Sequence, residues 1–167
     1  MNHTDIKEPK FSAESMSEVN RIIAQYPAGK QKSAILRVLH MAEKEFGGWL
    51  SVASMDYVAS LLSIKPIEVY EVASFYSMFN LKPVGKNVME FCHTGPCAIE
   101  GAEQLIEYTC KKLGINSGET TADGQFTIKE VECLGACGYA PMLQLGDIFK
   151  EHLTEEKMDA LIEELSK

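Results

Sequence analysis

The sequence has too little positive charge for a protein that binds nucleic acid. Lys and Arg together number 16, against 24 Asp and Glu, which gives a formal net charge of −8 at pH 7. A phosphate backbone is bound mainly through Lys and Arg, and no basic stripe occurs along this chain. We therefore expect no nucleic-acid partner, and we expect the acidic surplus to form a solvated surface.

The chain also lacks an apolar run of the roughly 20 residues that are needed to span a bilayer. Its first eight residues, MNHTDIKE, include acidic side chains and lack the apolar stretch of a secretory signal. Mitochondrial transit peptides likewise avoid acidic residues. These absences predict a cytoplasmic protein with no direct membrane insertion.

Two sequence signatures of common redox enzymes are missing as well. Neither G-x-G-x-x-G nor a Walker-type loop occurs, so no nucleotide site is expected on this chain. Cys-x-x-Cys is absent too. A dithiol oxidoreductase of the thioredoxin type, which uses that motif, is therefore disfavoured.

The first half of the chain, residues 12–82, has the pattern of a helical bundle. Ser15 and Glu18 have the spacing of a capping box, and Pro66 suits the first turn of a later helix. The helical period is clearest in five apolar residues spaced at i, i+3, i+4, i+7 and i+11: Ile35, Val38, Leu39, Ala42 and Phe46.

The segment from Val69 to Phe79 is apolar on more than one face of a helix. A helix of this kind is either buried in its own protein or covered by another chain. We expect ordinary core packing, and a partner interface is the alternative.

The second half, residues 86–166, alternates strand and helix patterns. Three strands are predicted, at 88–92, 126–133 and 142–145, with a helix over 98–113. Thr154 is placed to cap a last helix. The sequence thus predicts an α+β fold, with an N-terminal helical bundle (12–82) followed by a small mixed α/β domain (86–166).

Four of the five cysteines form two pairs, Cys92-x4-Cys97 and Cys133-x3-Cys137. Each pair begins at the end of a predicted strand, where two adjacent loops can bring four thiolates together. Four thiolates are the ligand set of [2Fe–2S] clusters and also of structural zinc. Cys110 stands apart on a predicted helix, where a free cysteine packs as a small hydrophobe.

The composition of the two loops favours iron–sulfur over zinc, although a zinc-stabilised binding module stays open on spacing alone. Gly95-Pro96 lies in the first loop and Leu134-Gly135-Ala136 fills the second. Small residues let backbone N–H groups approach cluster sulfurs, and these hydrogen bonds help to set the reduction potential.

The cysteine loops, FCHTGPC (91–97) and VECLGACGYAPM (131–142), resemble the signature of the thioredoxin-like [2Fe–2S] ferredoxin family. Within it, the chain is similar to the small iron–sulfur subunits of the NADH-oxidising flavoprotein module of respiratory NADH:quinone oxidoreductase (complex I). The resemblance extends to ASFYSMF (73–79) and covers residues 12–166.

The resemblance implies a thioredoxin-like second domain and one [2Fe–2S] cluster. It implies that Cys92, Cys97, Cys133 and Cys137 are the cluster's iron ligands and that Cys110 is not. FMN and NADH would be bound by a partner flavoprotein subunit, with other peripheral-arm subunits as further partners and attachment to the membrane only through the complex. No catalytic residue is implied, and the isolated chain would have no activity of its own.

Related small subunits also serve NAD-coupled hydrogenases and formate dehydrogenases, so these complexes are the alternative within electron transfer.

The charges near the cysteines bear on the reduction potential. Four acidic residues lie near the cysteines in sequence but only one basic residue, Lys129; the acidic ones are Glu90, Glu100, Glu130 and Glu132. This excess of negative charge predicts a cluster that is difficult to reduce. His93 is expected to be a solvent-facing loop residue.

Overall fold

A computed structural model describes residues 8–167. Their contacts divide them into two compact units that meet in sequence between Pro83 and Val84. Helices alone form the first unit, and helices with a four-stranded sheet form the second, which confirms the α+β fold class. The domain limits 12–82 and 86–166 remain predictions. No helix in the described residues is long and apolar enough to cross a membrane. The prediction about the N-terminal segment concerns residues 1–7, which lie outside the described part.

The described part of the first unit has four α-helices, α1 (Ala13–Ile23), α2 (Ile35–Glu45), α3 (Val52–Leu61) and α4 (Pro66–Phe75). A short 3-10 helix, Gln31–Ala34, precedes α2. The stripe predicted on α2 is buried, and it packs with the inner faces of the other helices around one core. The buried apolar side chains of the helices therefore hold the unit together, and on α2 they follow the helical period that the sequence predicted.

The first helix begins earlier than its sequence indicated. Ser12, not Ser15, is the N-cap, and its hydroxyl accepts a hydrogen bond from the Ser15 backbone N–H at 3.2 Å. The predicted Ser15–Glu18 capping box is therefore wrong. The Glu18 carboxylate instead accepts hydrogen bonds from the Arg21 guanidinium, one helical turn further on, at 2.6 Å.

The apolar segment after Pro66 divides between core and surface. Val69 and Ala73 are buried, which agrees with core packing for one face of α4. The helix ends at Phe75, whose side chain is 79% exposed, and Ile67 is exposed as well. Core packing thus accounts for only part of the apolar sequence.

The second unit is built on one mixed sheet. Its strands are β1 (Asn87–Cys92), β2 (Phe126–Val131), β3 (Leu143–Leu145) and β4 (Ile148–Lys150), in the order β2-β1-β3-β4. The pair β1–β2 is parallel, and the pairs β1–β3 and β3–β4 are antiparallel. Its helices are α5 (Pro96–Ile99), α6 (Ala102–Leu113) and α7 (Glu155–Leu165).

The parallel pairing of β1 and β2 positions the cysteines. The register runs from Asn87 opposite Phe126 to Cys92 opposite Val131. Both strands therefore end at the same edge of the sheet, and the chain leaves each of them into a cysteine loop. This is the arrangement that the sequence predicted for the two pairs.

Two details of this unit differ from the sequence prediction. The helix expected over 98–113 is two helices, because Gly101 adopts a left-handed conformation (φ = 91°) between α5 and α6. Strand β4 was not predicted, since three residues are too few to show an alternating pattern.

Candidate metal centre

The first cysteine pair is buried. Cys92 is the last residue of β1 and Cys97 lies in the first turn of α5, and each is only 2% exposed. Gly95 (φ = 49°) turns the chain with a backbone conformation that side chains disfavour. Pro96 follows at the first position of the helix, where its missing N–H costs nothing. The Cys97 N–H then donates to the carbonyl oxygen of Thr94 at 3.1 Å, which closes the loop.

The second pair is exposed. Cys133 follows β2 and Cys137 opens a 3-10 turn, Cys137–Tyr139. Gly135 (φ = 81°) reverses the chain between them, so that the two Sγ atoms lie 3.5 Å apart. The Gly135 N–H donates to the Cys133 Sγ at 3.4 Å. A glycine at this position therefore supplies both the turn and a hydrogen bond to sulfur.

Backbone hydrogen bonds hold the two loops side by side. The Cys92 N–H donates to the Met142 carbonyl and the His93 N–H to the Val131 carbonyl, both at 3.3 Å. The sulfur-bearing side chains of Cys92 and Cys97 belong to one small apolar cluster with Ala102 and Met142. Leu134 and other residues of the second loop pack against this cluster. The structure thus brings all four predicted residues to one edge of the sheet.

The thiols also interact electrostatically. Burial raises the pKa of Cys92, but hydrogen bonds from the backbone of Thr94, the Cys97 thiol and the backbone of Leu134 outweigh it, so this pKa is lowered. Burial and the neighbouring Cys92 raise the pKa of Cys97 to about 11. The buried pair therefore resists the loss of both protons.

The two thiols of the exposed pair also interact with each other. A hydrogen bond to Cys133 and the charge of Cys133 raise the pKa of Cys137, with a smaller contribution from the charge of Cys92. The four sulfurs thus resist carrying negative charge together. A bound cation relieves this repulsion, because metal ligation deprotonates coordinating thiols.

The residues fit an iron–sulfur cluster in the type and number of donors. Four thiolates are the usual ligand set of a [2Fe–2S] cluster. Backbone N–H groups already point at these sulfurs, from Leu134 to Cys92, from Met142 to Cys97 and from Gly135 to Cys133. Among residues 8–167, no group of three or more His, Cys, Asp or Glu, the four cysteines included, has the geometry of a metal-ion site. The small loop residues had indicated backbone donors, but the sequence could not tell which N–H group points at which sulfur, because backbone groups have no residue-type signal.

Cys110 lies away from this centre. It is half-buried on α6 and packs against the main core of the second unit, as its sequence position predicted. Burial raises the pKa of the Cys110 thiol, and the charges of Glu130 and Glu119 raise it further.

His93 is exposed, as predicted, and borders a cavity of about 270 Å³ that Glu103, Glu107 and Glu130 also line.

Comparison with known proteins confirms the resemblance of the cysteine loops. Residues 19–166 match the family described as thioredoxin-like [2Fe-2S] ferredoxin. An NADH-quinone oxidoreductase subunit from Rickettsia bellii is 46% identical over 164 residues, covering 98% of each chain. A mitochondrial NADH dehydrogenase [ubiquinone] flavoprotein 2 of Dictyostelium discoideum is 44% identical over 156 residues, which cover 93% of this chain and 63% of the relative.

A solved structure has a similar fold. It is an NAD+-reducing [NiFe]-hydrogenase in the H2-reduced state, with a TM-score of 0.71 and 25% sequence identity. The match covers 80% of this chain and 22% of the hydrogenase chain. The present chain therefore corresponds to about a fifth of that longer protein.

Proposed function

This chain belongs to the thioredoxin-like [2Fe–2S] ferredoxin family, and we propose that Cys92, Cys97, Cys133 and Cys137 ligate one [2Fe–2S] cluster. The main support for this ligand set is that parallel strands bring both cysteine pairs to one edge of the sheet. Cys110 packs elsewhere. Family membership favours iron–sulfur over the zinc that spacing alone left open.

We further propose that the chain is the electron-transfer subunit of an NADH:quinone oxidoreductase and exchanges single electrons with FMN on a partner subunit. Relatives that match 98% of their length have the name of such a subunit. A hydride brings two electrons, whereas one [2Fe–2S] centre accepts one. A flavin must therefore accept the two electrons of the hydride and pass them on one at a time. The sequence has no nucleotide motif of its own, so that flavin is expected on the partner.

The bound cluster would supply the one-electron chemistry, and the residues of this chain would hold it and tune it. The four thiolates would bind iron. The N–H groups of Leu134 and Met142 would stabilise negative charge on sulfur. Burial of Cys92 and Cys97 excludes water from one side of the site. No acid–base residue is required, so the chain contributes to an enzyme without a catalytic residue of its own.

A second candidate is the equivalent small subunit of an NAD-coupled hydrogenase. The observation that favours it is the fold match to an NAD+-reducing [NiFe]-hydrogenase. A formate dehydrogenase remains a further alternative within the same chemistry. Purification of the native assembly from its source decides among these complexes by its other subunits. If the complex is an NADH:quinone oxidoreductase, we expect membrane attachment only through that complex.

The test starts with the anaerobically purified chain. Analysis should find about two irons and two sulfides per chain, as the cluster formula requires, and stoichiometric zinc instead would disprove the cluster. NADH alone should leave the visible spectrum unchanged. Addition of the FMN-binding subunit should then let NADH reduce the cluster, observed as a new electron paramagnetic resonance signal. Bleaching by NADH before the partner is added would disprove the proposed division of roles.

A further inference from the structure

We propose that the exposed thiols of Cys133 and Cys137 are a site of reversible oxidation, and that they close a disulfide in the chain before it receives its cluster. The disulfide occupies both sulfurs, so it withholds two of the four proposed iron ligands until a reductant reopens it. This inference rests on the proposed function, and it adds a chemical control over the same ligand set.

The two sulfurs of this pair already lie close to each other. Their Sγ atoms are 3.5 Å apart, and a disulfide bond requires about 2.05 Å. Only Leu134, Gly135 and Ala136 separate the two cysteines in sequence, and Gly135 (φ = 81°) reverses the chain between them. The chain turn that a disulfide between these two positions needs is therefore already present in the fold.

Access to an oxidant distinguishes this pair from the other thiols. Cys133 and Cys137 are both exposed, whereas Cys92 and Cys97 lie in an apolar cluster and are each 2% exposed. Cys110 is half-buried on α6 and packs against the main core of the second unit. In thiol–disulfide exchange the attacking thiolate must reach a sulfur atom of the oxidant. A small-molecule disulfide therefore reacts first at the exposed pair.

A backbone hydrogen bond selects the thiol that attacks first. The Gly135 N–H donates to the Cys133 Sγ at 3.4 Å, and such a bond stabilises a thiolate. Cys133 attacks oxidised glutathione, displaces one glutathione thiolate and forms a mixed disulfide. Cys137 then attacks the Cys133 sulfur and displaces the second glutathione thiolate. Two protein thiols thus become one disulfide, and their two protons pass through water to the two glutathione thiolates.

Disulfide formation and cluster binding exclude each other at these two residues. Iron is bound by thiolates, and a disulfide sulfur is not one. The buried pair alone supplies only two of the four thiolates that a [2Fe–2S] cluster uses. The disulfide also removes both exposed thiols from further oxidation to sulfinic acid, a step that is irreversible in most proteins. Oxidation at this site therefore delays loading of the cluster without destroying its ligands.

The experiment treats the full, reduced, cluster-free chain with oxidised glutathione and maps the pairing by mass spectrometry of peptides. We expect the Cys133–Cys137 disulfide to form at least tenfold faster than any disulfide that includes Cys92 or Cys97. A purified scaffold protein that carries a [2Fe–2S] cluster then serves as the donor, because free sulfide would itself reduce the disulfide. The oxidised chain should accept at least tenfold less cluster than the reduced chain, and treatment with a phosphine reductant should restore the transfer. Cys110→Ala is the matched control and should behave as the wild type throughout.

The outcomes separate this inference from the proposed function. If the reduced chain accepts no cluster, the proposed function itself fails. If the reduced chain accepts one but pairings with Cys92 or Cys97 dominate after oxidation, only the oxidation site is wrong. Equal cluster transfer to the chain with the Cys133–Cys137 disulfide would likewise overturn the inference. Cys137→Ser gives an independent check, because it should retain one glutathione on Cys133 with no second thiol to release it, and a variant free of glutathione would contradict the assigned order of attack.

Discussion

Lys129 and Glu90 lie directly opposite each other on the parallel strands β2 and β1, with 3.1 Å between the Lys129 Nζ and the Glu90 Oε1. Their side chains are only 19% and 18% exposed. One of the four glutamates near the cysteines is thus balanced by the one lysine of that region. Glu100, Glu130 and Glu132 remain as the acidic side chains that oppose reduction.

Replacement of Lys129 by Met should lower the free energy of unfolding by about 1 to 2 kcal/mol, because the half-buried Glu90 carboxylate loses this partner. Thermal unfolding of the cluster-loaded chain measures the change. The double variant with Glu90→Gln should recover part of the loss. Additive effects of the two substitutions would show that the pair is not coupled.

Removal of a negative charge beside the exposed thiols should make the cluster easier to reduce. A unit charge about 10 Å away in water changes the reduction free energy by about 0.4 kcal/mol, which is on the order of 20 mV for one electron. Glu132→Gln should therefore raise the midpoint potential by about that amount. A redox titration followed by electron paramagnetic resonance measures it. Glu164→Gln, with the same charge change on α7, should shift the potential less, and an equal shift would contradict the local argument.

Each of the four paired cysteines should be necessary for the cluster. Alanine at Cys92, Cys97, Cys133 or Cys137 removes a thiolate, and we expect loss or severe destabilisation of the cluster in every case. Cys110→Ala should keep the spectrum and lower stability by only about 1 kcal/mol, because that side chain is half-buried and fills core volume. Loss of the cluster in folded Cys110→Ala would show that the ligands are wrongly assigned.

The sequence was most informative where an apolar period or a turn-forming glycine stands out. The apolar stripe of α2 is buried, as its spacing predicted. The cysteine pairs begin at the ends of β1 and β2, and Gly95 and Gly135 turn the chain between the two cysteines of each pair. The sequence was misleading where two nearby residues could each cap the same helix. Ser12 and Ser15 are both suitable caps, and only the structure selects Ser12.

The different exposure of the two cysteine pairs could not be predicted from the sequence. Both pairs have similar spacing and similar small neighbours. The first pair is buried because Ala102, from the next helix, and Met142, about 50 residues further along the chain, pack over it. Local patterns do not encode contacts such as that of Met142, so the difference in exposure between the two pairs is seen only in the three-dimensional structure.

Thiol reactivity in the cluster-free protein should follow this difference in exposure. Iodoacetamide at pH 8 should alkylate Cys133 and Cys137 at least tenfold faster than Cys92 and Cys97, because reaction requires an accessible thiolate. Mass spectrometry of timed samples gives the order. In the cluster-loaded chain all four should be protected. Equal rates at all four cysteines in the folded, cluster-free protein would contradict the buried placement of the first pair.

A side chain at Gly85 should disturb the start of the parallel strand pair. A Cβ built there lies 2.9 Å from the backbone N and C of Phe126, closer than packed atoms allow. Gly85→Ala should therefore destabilise the protein by about 1 to 3 kcal/mol, as overpacking does. Gly138→Ala is the control, because no atom lies within 4 Å of its added Cβ. Thermal unfolding of both variants tests the contrast, and equal stability would contradict it.

The parallel pairing of β1 with β2 also sets when the site can form during synthesis. The ribosome delivers Cys92 and Cys97 first, but the neighbour that fixes the end of β1 emerges only with residues 126–131. A nascent chain that stops at the end of α6 has only two of the four paired cysteines and no second loop. With the proposed ligand set, iron delivery to all four cysteines would therefore be a late event, restricted to chains whose translation has passed Cys137. The helical unit that ends at Pro83 would by then already have left the ribosome.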